Sequence, residues 1–335
     1  MESLNALKQL VALPKDVVIT THRNPDGDAI GSSLALYHFL RRNGHTVHIL
    51  VPSEYPDFLA WMDGVDDIVV YDIDPERCQA LLDRCNLFFA LDYNGLDRID
   101  KLGQLVKLEG KDSVMIDHHL YPDDFVDHLF SDTSYSSTCE LLYDVLCGID
   151  AGGLIDPLIA ECLFVGILTD TGGFKYATSP RLFRTAAALV ERGVDDYALQ
   201  DRIFNSLKEK NLRLLGHCLA NRMEILPEYR TGIITLTKED YEYFDITRGD
   251  TEGIVNYLLK MPNIVMAAFI HEQPKITKLS LRSKREFSVQ EIAQKYFKGG
   301  GHKNASGGAS YSSLGSTVRK FKSILPEFKE KLLNA

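Results

Sequence analysis

Four short clusters of acidic and imidazole side chains stand out in the sequence, because each follows an apolar segment. Carboxylates and neutral imidazoles are ligands that suit Mn²⁺ or Mg²⁺, and the absence of cysteine among them argues against structural zinc. So many acidic groups in one cleft also need cations to offset their charge. The clusters are His22-Arg23-Asn24-Pro25-Asp26-Gly27-Asp28, Asp92, Asp117-His118-His119 and Asp170.

The segments before these clusters predict the elements that position them. Short apolar runs rich in β-branched or aromatic residues predict buried strands, and they alternate with segments of helical spacing. This alternation is typical of a parallel α/β sheet. Because ligands of such sheets collect at the carboxyl ends of the strands, we expect the three clusters that directly follow predicted strands to meet in one crevice. The predicted strands are 17–21, 47–51, 67–71, 87–91 and 113–116, and the predicted helices are 1–11, 29–42, 74–84, 138–146, 157–168, 180–192 and 196–220.

The pattern changes in the last third of the chain, where apolar or alternating runs predict strands at 232–237, 264–271 and 277–282. A length of 335 residues is sufficient for two domains. No low-complexity linker separates the two patterns, so we expect a structured helix between the domains. The predicted division is a catalytic domain over 1–205, a helical linker over 206–222 and a second domain over 223–335.

Composition excludes several classes of protein. The net charge of −10 argues against a protein that coats long nucleic acid by neutralising its phosphates. No run of 18 apolar residues is present, so no membrane span is expected. The six cysteines form no Cys-x-x-Cys pair and are expected to be ordinary buried thiols of a reducing compartment. The predicted location is therefore cytoplasmic.

One stretch of the chain is basic. Residues 275–303 carry eight Lys or Arg and two Glu, a net charge of +6, so the remainder carries −16. Gly299-Gly300-Gly301-His302 lies at its end and could expose backbone N–H groups to an anion, or could simply be a hairpin. Arg282 could donate two hydrogen bonds to a phosphate, or could be a solvated charge. The local balance predicts a small anion site.

The four clusters resemble the four motifs of the DHH phosphoesterases, and they occur in the same order. The resemblance covers roughly residues 10–180 and implies an N-terminal parallel-sheet α/β domain. It also implies a metal-dependent phosphoesterase. The matching motifs are His22-x-Asn-Pro-Asp-Gly-Asp-Ala-Ile-Gly31, Leu91-Asp92, Asp117-His118-His119 and Asp170-Thr-Gly-Gly173.

This resemblance implies a centre with two metal ions that share one carboxylate. The expected cofactors are two Mn²⁺ ions, with Mg²⁺ as the alternative, because Mn²⁺ tolerates imidazole better. Two cations about 3.5–4 Å apart would lower the pKa of a shared water and offset charge on the phosphoryl oxygens. The implied ligands are His22 and Asp26 for one ion, Asp28, His118 and Asp170 for the other, and Asp92 for both.

The same resemblance gives Asp92, Asp117 and His119 the catalytic roles. Asp117 would orient a neighbouring ligand without touching a metal. His119 would face the substrate phosphate and, when protonated, would hydrogen-bond a phosphate oxygen or assist the leaving group.

Over roughly residues 220–330 the chain resembles the DHHA1 domain that accompanies one DHH subfamily, through Leu279-Ser-Leu-Arg-Ser283 and Gly299-Gly-Gly-His302. The resemblance implies a smaller, mixed α/β domain and an active cleft between the two domains. The substrate-binding residues that it implies are Arg282, Ser283, Gly300, Gly301 and His302.

The resembling subfamily contains oligoribonucleases specific for a few nucleotides (nanoRNases), which also hydrolyse 3′-phosphoadenosine 5′-phosphate (pAp). The expected function is therefore hydrolysis of very short oligoribonucleotides, releasing 5′-mononucleotides, and of pAp. The alternatives are a phosphodiesterase of cyclic dinucleotides or of linear pApA, a pyrophosphatase or exopolyphosphatase, and a non-catalytic nucleotide-binding regulator. The expected partners are short oligoribonucleotides and small nucleotide phosphates, without long nucleic acid or a membrane. The sequence leaves the oligomeric state open, with a homodimer as one option.

Overall fold

The short apolar runs of the first half form one six-stranded sheet in the computed structural model, which describes residues 2–205, 208–247 and 249–335. All neighbouring strands are parallel, and their order is 3-2-1-4-5-6. The order reverses between the first and fourth strands, and ligands of such sheets bind beyond the carboxyl ends of the strands at this reversal. The strands are β1 (Asp16–Thr21), β2 (Thr46–Val51), β3 (Val69–Val70), β4 (Leu87–Leu91), β5 (Asp112–Asp117) and β6 (His128–Ser131).

Helices cover this sheet, and several begin at recognisable caps. Asp74, Asp156 and Ser179 each accept a hydrogen bond from the first turn of the following helix, and each is followed by proline. Single 3₁₀ turns occur at Asp57–Leu59, Val65–Asp67, Leu96–Ile99 and Gly152–Leu154. The helices are α1 (Glu2–Leu10), α2 (Gly27–Arg42), α3 (Pro75–Arg84), α4 (Asp100–Gly103), α5 (Thr138–Gly148), α6 (Pro157–Thr171), α7 (Pro180–Val190) and α8 (Asp196–Phe204).

Two glycines allow α2 and α6 to pack unusually close to each other. A Cβ atom on Gly31 would lie 2.6 Å from the carbonyl oxygen of Cys162, and one on Gly27 would lie 2.3 Å from Cγ2 of Thr169. Any larger residue would therefore push the helices apart. The close packing holds Asp170, in the last turn of α6, beside the first turn of α2.

The last third of the chain forms a second sheet, and among its described residues only β8 and β9 pair in parallel. The chain divides into two compact units, Met1–Ser206 and Leu207–Ala335, and this sheet is the centre of the second. Its strands, in the order 11-12-10-9-8-7, are β7 (Met223–Leu226), β8 (Thr231–Leu236), β9 (Met266–Glu272), β10 (Thr277–Ser283), β11 (Gly300–His302) and β12 (Ala305–Ser310). Its helices are α9 (Glu209–Asn221), α10 (Lys238–Tyr243), α11 (Ile254–Leu258), α12 (Val289–Phe297) and α13 (Leu314–Leu333), with a 3₁₀ turn at Pro227–Tyr229.

The predicted fold class is confirmed: a parallel α/β sheet is followed by a smaller mixed sheet. The predicted single helix over 196–220 is wrong, because α8 ends at Phe204 and Lys208 is extended, with φ −71° and ψ 157°. Residues 206 and 207, which that prediction also covers, lie outside the described residues. The predicted glycine-rich loop is a hairpin of two paired strands, β11 and β12. In the described parts of the chain, no helix is long and apolar enough to cross a bilayer.

Candidate metal centre

Donor atoms from all four sequence clusters converge at the carboxyl edge of the first sheet. His22 follows β1 and Asp92 follows β4, so they flank the point where the strand order reverses. Asp92 adopts a left-handed backbone, with φ 63°, a conformation that aspartate tolerates better than most residues. In three groups, one donor atom from each residue lies within 4.8 Å of the others: His22, Asp26 and Asp92; Asp28, His118 and Asp170; and Asp92, His118 and His119.

In the first group, one imidazole faces two carboxylates. Nε2 of His22 lies 3.4 Å from Oδ2 of Asp92 and 3.9 Å from Oδ1 of Asp26. Nδ1 of His22 donates to the carbonyl oxygen of Arg23 at 3.0 Å. Because Nδ1 carries the proton of that bond, the neutral imidazole presents the lone pair of Nε2 to the carboxylates, as a metal ligand must.

The second group repeats this arrangement. Nε2 of His118 lies 3.3 Å from Oδ2 of Asp170, 3.9 Å from Oδ2 of Asp28 and 3.6 Å from Oδ1 of Asp92. Nδ1 of His118 donates to the carbonyl oxygen of Tyr135 at 3.3 Å. Asp92 thus directs one carboxylate oxygen toward each of two histidines, and it lies between the two groups.

The third group is the weakest candidate for a metal. Nδ1 of His119 donates to Oδ1 of Asp117 at 2.7 Å, so this nitrogen has no lone pair for a cation. Asp117 is fully buried, and among the described residues its Oδ2 atom has no hydrogen-bond partner. The hydrogen bond between the two side chains fixes the tautomer of His119.

The surrounding carboxylates raise the pKa of His22 in the first group and of His118 in the second. Burial lowers the pKa of His22, but Asp92 and Asp26 outweigh this effect and raise it to about 9. Burial likewise lowers the pKa of His118, while Asp170 and the other carboxylates raise it to about 11. The site therefore attracts positive charge strongly.

Two carboxylates of the site, Asp28 and Asp170, have raised pKa values, because other carboxylates lie close to them. Burial and the charges of Asp92 and Asp170 raise the pKa of Asp28 well above its ordinary value. Burial and the neighbouring acids Asp26 and Asp92 raise the pKa of Asp170 to about 6, although His118 opposes them. Buried carboxylates this close together cannot all ionise unless cations offset their charge.

The donor set fits divalent cations. Adjacent ligands of an octahedral cation at about 2.1 Å lie about 3 Å from each other, slightly closer than the 3.3–3.9 Å measured between the histidine and carboxylate atoms. Small side-chain movements would close that difference. Oxygen and imidazole donors without a thiolate suit Mn²⁺ or Mg²⁺.

Comparison with known proteins places the chain in a family. Residues 16–167 match the N-terminal domain of the DHH family, and residues 235–333 match the DHHA1 domain. The chain is 30% identical over 314 residues to a probable bifunctional oligoribonuclease and PAP phosphatase of Streptococcus mutans, covering 92% of this chain and 95% of that relative. The chain belongs to the DHH family. It is accordingly a metal-dependent DHH phosphoesterase that carries the His/Asp metal site of the family.

Two further similarities extend over the whole chain. A crystal structure of an exopolyphosphatase-related protein from Bacteroides fragilis has a TM-score of 0.96 and 38% identity, covering 99% of this chain and 97% of that one. The cyclic-di-AMP phosphodiesterase GdpP of Bacillus subtilis is 25% identical over 340 residues, covering 97% of this chain and 50% of that relative. Proteins similar to this chain over most of its length thus have names that state different substrates.

In the second unit, two of the predicted substrate residues lie in one row of the sheet. Arg282 on β10 pairs with Ala305 on β12, which pairs with His302 on β11. Residues paired across strands share a face, so Arg282 and His302 lie on the same face about 10 Å apart. Ser283 lies on the opposite face, where its buried hydroxyl donates to the carbonyl oxygen of Phe287 at 2.6 Å.

The glycines of the hairpin have a packing role. A Cβ atom on Gly299 would lie 1.9 Å from the carbonyl oxygen of Gly307, and one on Gly301 would lie 2.6 Å from that of Ala305. Gly301 also has φ 135°, which favours glycine. Gly300 and Gly301 lie in β11, the edge strand of the sheet. An anion site at their N–H groups stays a prediction.

Sequence reasoning missed the contacts of the N-terminal turn of α5 with the metal centre. Thr138 and Cys139 donate hydrogen bonds to Asp28, and Thr138 also donates to Asp92. The available signal was Ser137-x-x-Glu140 before an apolar run, a pattern typical of a helix start. That pattern predicts the helix but not the residues that its first turn contacts.

Proposed function

We propose that this DHH phosphoesterase hydrolyses very short oligoribonucleotides to 5′-mononucleotides, and also hydrolyses 3′-phosphoadenosine 5′-phosphate, with two Mn²⁺ ions. The observation that carries this proposal is the position of Asp92 between two donor groups: its Oδ2 lies 3.4 Å from Nε2 of His22 and its Oδ1 lies 3.6 Å from Nε2 of His118. The relative from Streptococcus mutans supports the choice of substrate, because the similarity covers nearly the full length of both chains.

The assignment of ligands follows the two groups. His22 and Asp26 would hold one ion, Asp28, His118 and Asp170 the other, and Asp92 both. When bound, the cations supply Lewis acidity to the phosphoryl group and lower the pKa of the attacking water. Mg²⁺ is the alternative ion for the same donors.

His119 and Asp117 handle a proton in this proposal. Asp117 accepts the Nδ1 proton of His119, and the proposal assigns Nε2 of the same ring to the substrate. In the imidazolium form, Nε2–H donates to a phosphate oxygen or to the leaving group. The hydrogen bond to the buried Asp117 keeps the ring in one orientation.

The second unit would bind a phosphate of the substrate. Arg282 and His302 lie in one row, and both belong to the basic stretch 275–303. The backbones of these two residues lie about 10 Å apart, so both side chains can reach a phosphate that binds between them. Gly300 and Gly301 lie in the edge strand, where the N–H group that points away from β12 would add a donor. Ser283 would support the strand through its bond to Phe287.

A phosphodiesterase of cyclic dinucleotides or of linear pApA is the second candidate. The observation in its favour is the similarity to GdpP, which covers 97% of this chain. Its lower identity, 25% against 30%, makes it the weaker of the two.

The test is hydrolysis of a substrate panel by the full chain with Mn²⁺: RNAs of two to five nucleotides, a twenty-nucleotide RNA, pAp, cyclic di-AMP and pyrophosphate. We expect mononucleotides from the short RNAs and inorganic phosphate from pAp. His118→Ala should abolish both activities, and Arg282→Ala should raise KM. The matched control is Arg319→Ala, which removes the same charge from α13. Hydrolysis of only cyclic di-AMP or only pyrophosphate would reject the proposed substrates.

A further inference from the structure

The first turn of α5 binds one carboxylate of the metal centre through its backbone. The N–H group of Thr138 donates to Oδ2 of Asp28 at 2.6 Å, and that of Cys139 donates to Oδ1 at 2.9 Å. First-turn N–H groups have no partner within their helix, and the helix N-terminus favours negative charge. Asp28 is fully buried, so these two bonds fix the plane of its carboxylate.

The side chain of Thr138 binds a second carboxylate of the centre. Its hydroxyl donates to Oδ1 of Asp92 at 2.9 Å, and both residues are buried. The other oxygen of Asp92, Oδ2, lies 3.4 Å from Nε2 of His22. The terminal torsion of aspartate is broad and nearly two-fold, so the hydroxyl selects one orientation of the carboxylate that the two donor groups share.

The chain around Thr138 is itself held firmly. Ser137 caps α5 by accepting the N–H of Glu140 at 3.0 Å. The buried carboxylate of Glu140 accepts from the N–H of Ser136 at 2.7 Å and from Nε of Arg181 at 3.0 Å. The Arg181 guanidinium also lies over the ring of Tyr135, 3.4 Å from its centroid. Buried networks whose members are all hydrogen-bonded give rigid positions.

The same segment reaches a third element of the site. The carbonyl oxygen of Tyr135 accepts the Nδ1 proton of His118. Residues Tyr135–Cys139, which we call the α5 entry segment, therefore contact donors from α2, from the end of β4 and from the end of β5. No part of this segment contributes a donor to the groups that would hold cations.

We propose that Thr138 is a positioning residue for the metal centre, acting through Asp92 and Asp28. This inference rests on the proposed two-cation site and adds a residue that does not touch the metal. Hydrogen-bond partners that orient metal ligands typically contribute about 10–100-fold to metal affinity. Without the hydroxyl, Asp92 can rotate away from the orientation that both donor groups require.

The test compares Thr138→Val with Thr138→Ser in the full chain, after chelation of metals. Valine keeps the branched shape and the backbone N–H but removes the hydroxyl, whereas serine retains it. Calorimetric titration with Mn²⁺ should give a Kd about 10–100-fold higher for Thr138→Val, and a Kd near wild type for Thr138→Ser. The electron paramagnetic resonance spectrum of bound Mn²⁺ should change in Thr138→Val and be restored by serine.

The matched control is Thr231→Val in the second unit. Thr231 is also fully buried, and its hydroxyl donates to the carbonyl oxygen of Tyr229 at 2.8 Å. We expect this variant to lower the Tm of the metal-free protein while leaving the Kd for Mn²⁺ unchanged. An unchanged Kd in Thr138→Val as well would overturn the positioning role. If Thr138→Val does not fold, as judged by circular dichroism, Thr138→Ala is titrated and judged by the same criterion.

His118→Ala separates this inference from the proposed function. If His118→Ala loses Mn²⁺ binding while Thr138→Val keeps the wild-type Kd, the proposed metal site is supported and the positioning role of Thr138 is rejected. If His118→Ala itself binds Mn²⁺ normally, the proposed metal site is wrong, and the role of Thr138 falls with it.

Discussion

At the scale of the residue, the centre separates two histidines that follow each other in the chain. Nδ1 of His118 donates to a backbone carbonyl and leaves Nε2 facing carboxylates. Nδ1 of His119 donates to Asp117 instead. The partner of Nδ1 thus distinguishes the proposed ligand from the proposed proton donor. Sequence spacing alone does not distinguish a metal ligand from a proton donor at these two positions.

Replacement of His119 by Gln should affect turnover and not metal binding. The variant lacks the imidazolium that assists the leaving group, so kcat should fall about 10²–10⁴-fold. The Kd for Mn²⁺, measured by calorimetry, should stay near wild type because Nδ1 of His119 is committed to Asp117. Loss of Mn²⁺ binding in His119→Gln would instead make His119 a ligand.

Binding of Mn²⁺ should release protons and weaken as the pH falls. In the metal-free protein the pKa values of His22 and His118 are raised to about 9 and about 11. Both imidazoles therefore carry protons at pH 7, and a cation must displace them. Since lower pH strengthens the competing protons, the apparent affinity should decrease from pH 8 to pH 6.

Calorimetry in two buffers with different ionisation enthalpies measures this release directly. The observed enthalpy of Mn²⁺ binding should differ between the two buffers, because the protein releases protons that the buffer takes up. If the binding enthalpy did not depend on the buffer and the Kd did not depend on pH, His22 and His118 would not be protonated in the metal-free protein.

At the scale of the element, the sequence predicted the sheet that carries the centre but not all of its supports. The runs before His22, Asp92 and Asp117 are β-branched or aromatic, and their positions at strand ends followed directly. β11 was missed because Gly300 and Gly301 have no side-chain pattern. The bond from Thr138 to Asp28 joins residues 110 positions apart, and no local pattern encodes such a contact.

Replacement of Gly31 by Ala should destabilise the packing of α2 on α6. Its Cβ atom would lie 2.6 Å from a backbone carbonyl oxygen of α6, and backbone cannot rotate away as a side chain can. Overpacking of this kind typically lowers the free energy of unfolding by about 1–3 kcal/mol. Urea denaturation of the metal-free protein measures the loss.

Gly153→Ala is the control for this substitution. A Cβ atom on Gly153 would meet nothing within 4 Å. This variant should have a free energy of unfolding close to wild type, and equal stabilities of Gly31→Ala and Gly153→Ala would contradict the close packing. Gly31→Ala should also bind Mn²⁺ less tightly, because α6 carries Asp170.

At the scale of the whole molecule, the charge distribution favours a small ligand. The net charge is −10, yet residues 275–303 carry +6 and include Arg282 and His302. A protein that follows long RNA needs basic residues along an extended track. Here the positive charge lies mainly in one stretch, which suits a substrate with few phosphates.

The salt dependence of activity should therefore be shallow. Each neutralised phosphate of a single strand contributes a slope of about −0.7 to the logarithm of affinity against the logarithm of salt concentration. With one or two contacts, KM for a dinucleotide should rise less than about tenfold between 50 and 200 mM salt. A rise of a thousandfold would indicate a longer track of phosphate contacts.

The most direct test of the two-cation centre is the location of Mn²⁺ in crystals of the full chain, measured by anomalous diffraction. The proposed two-cation centre predicts two peaks about 3.5–4 Å apart. One should contact His22 and Asp26, the other should contact His118 and Asp170, and Asp92 should contact both. A single peak, or two peaks that do not share Asp92, would contradict the two-cation centre and the proposed mechanism.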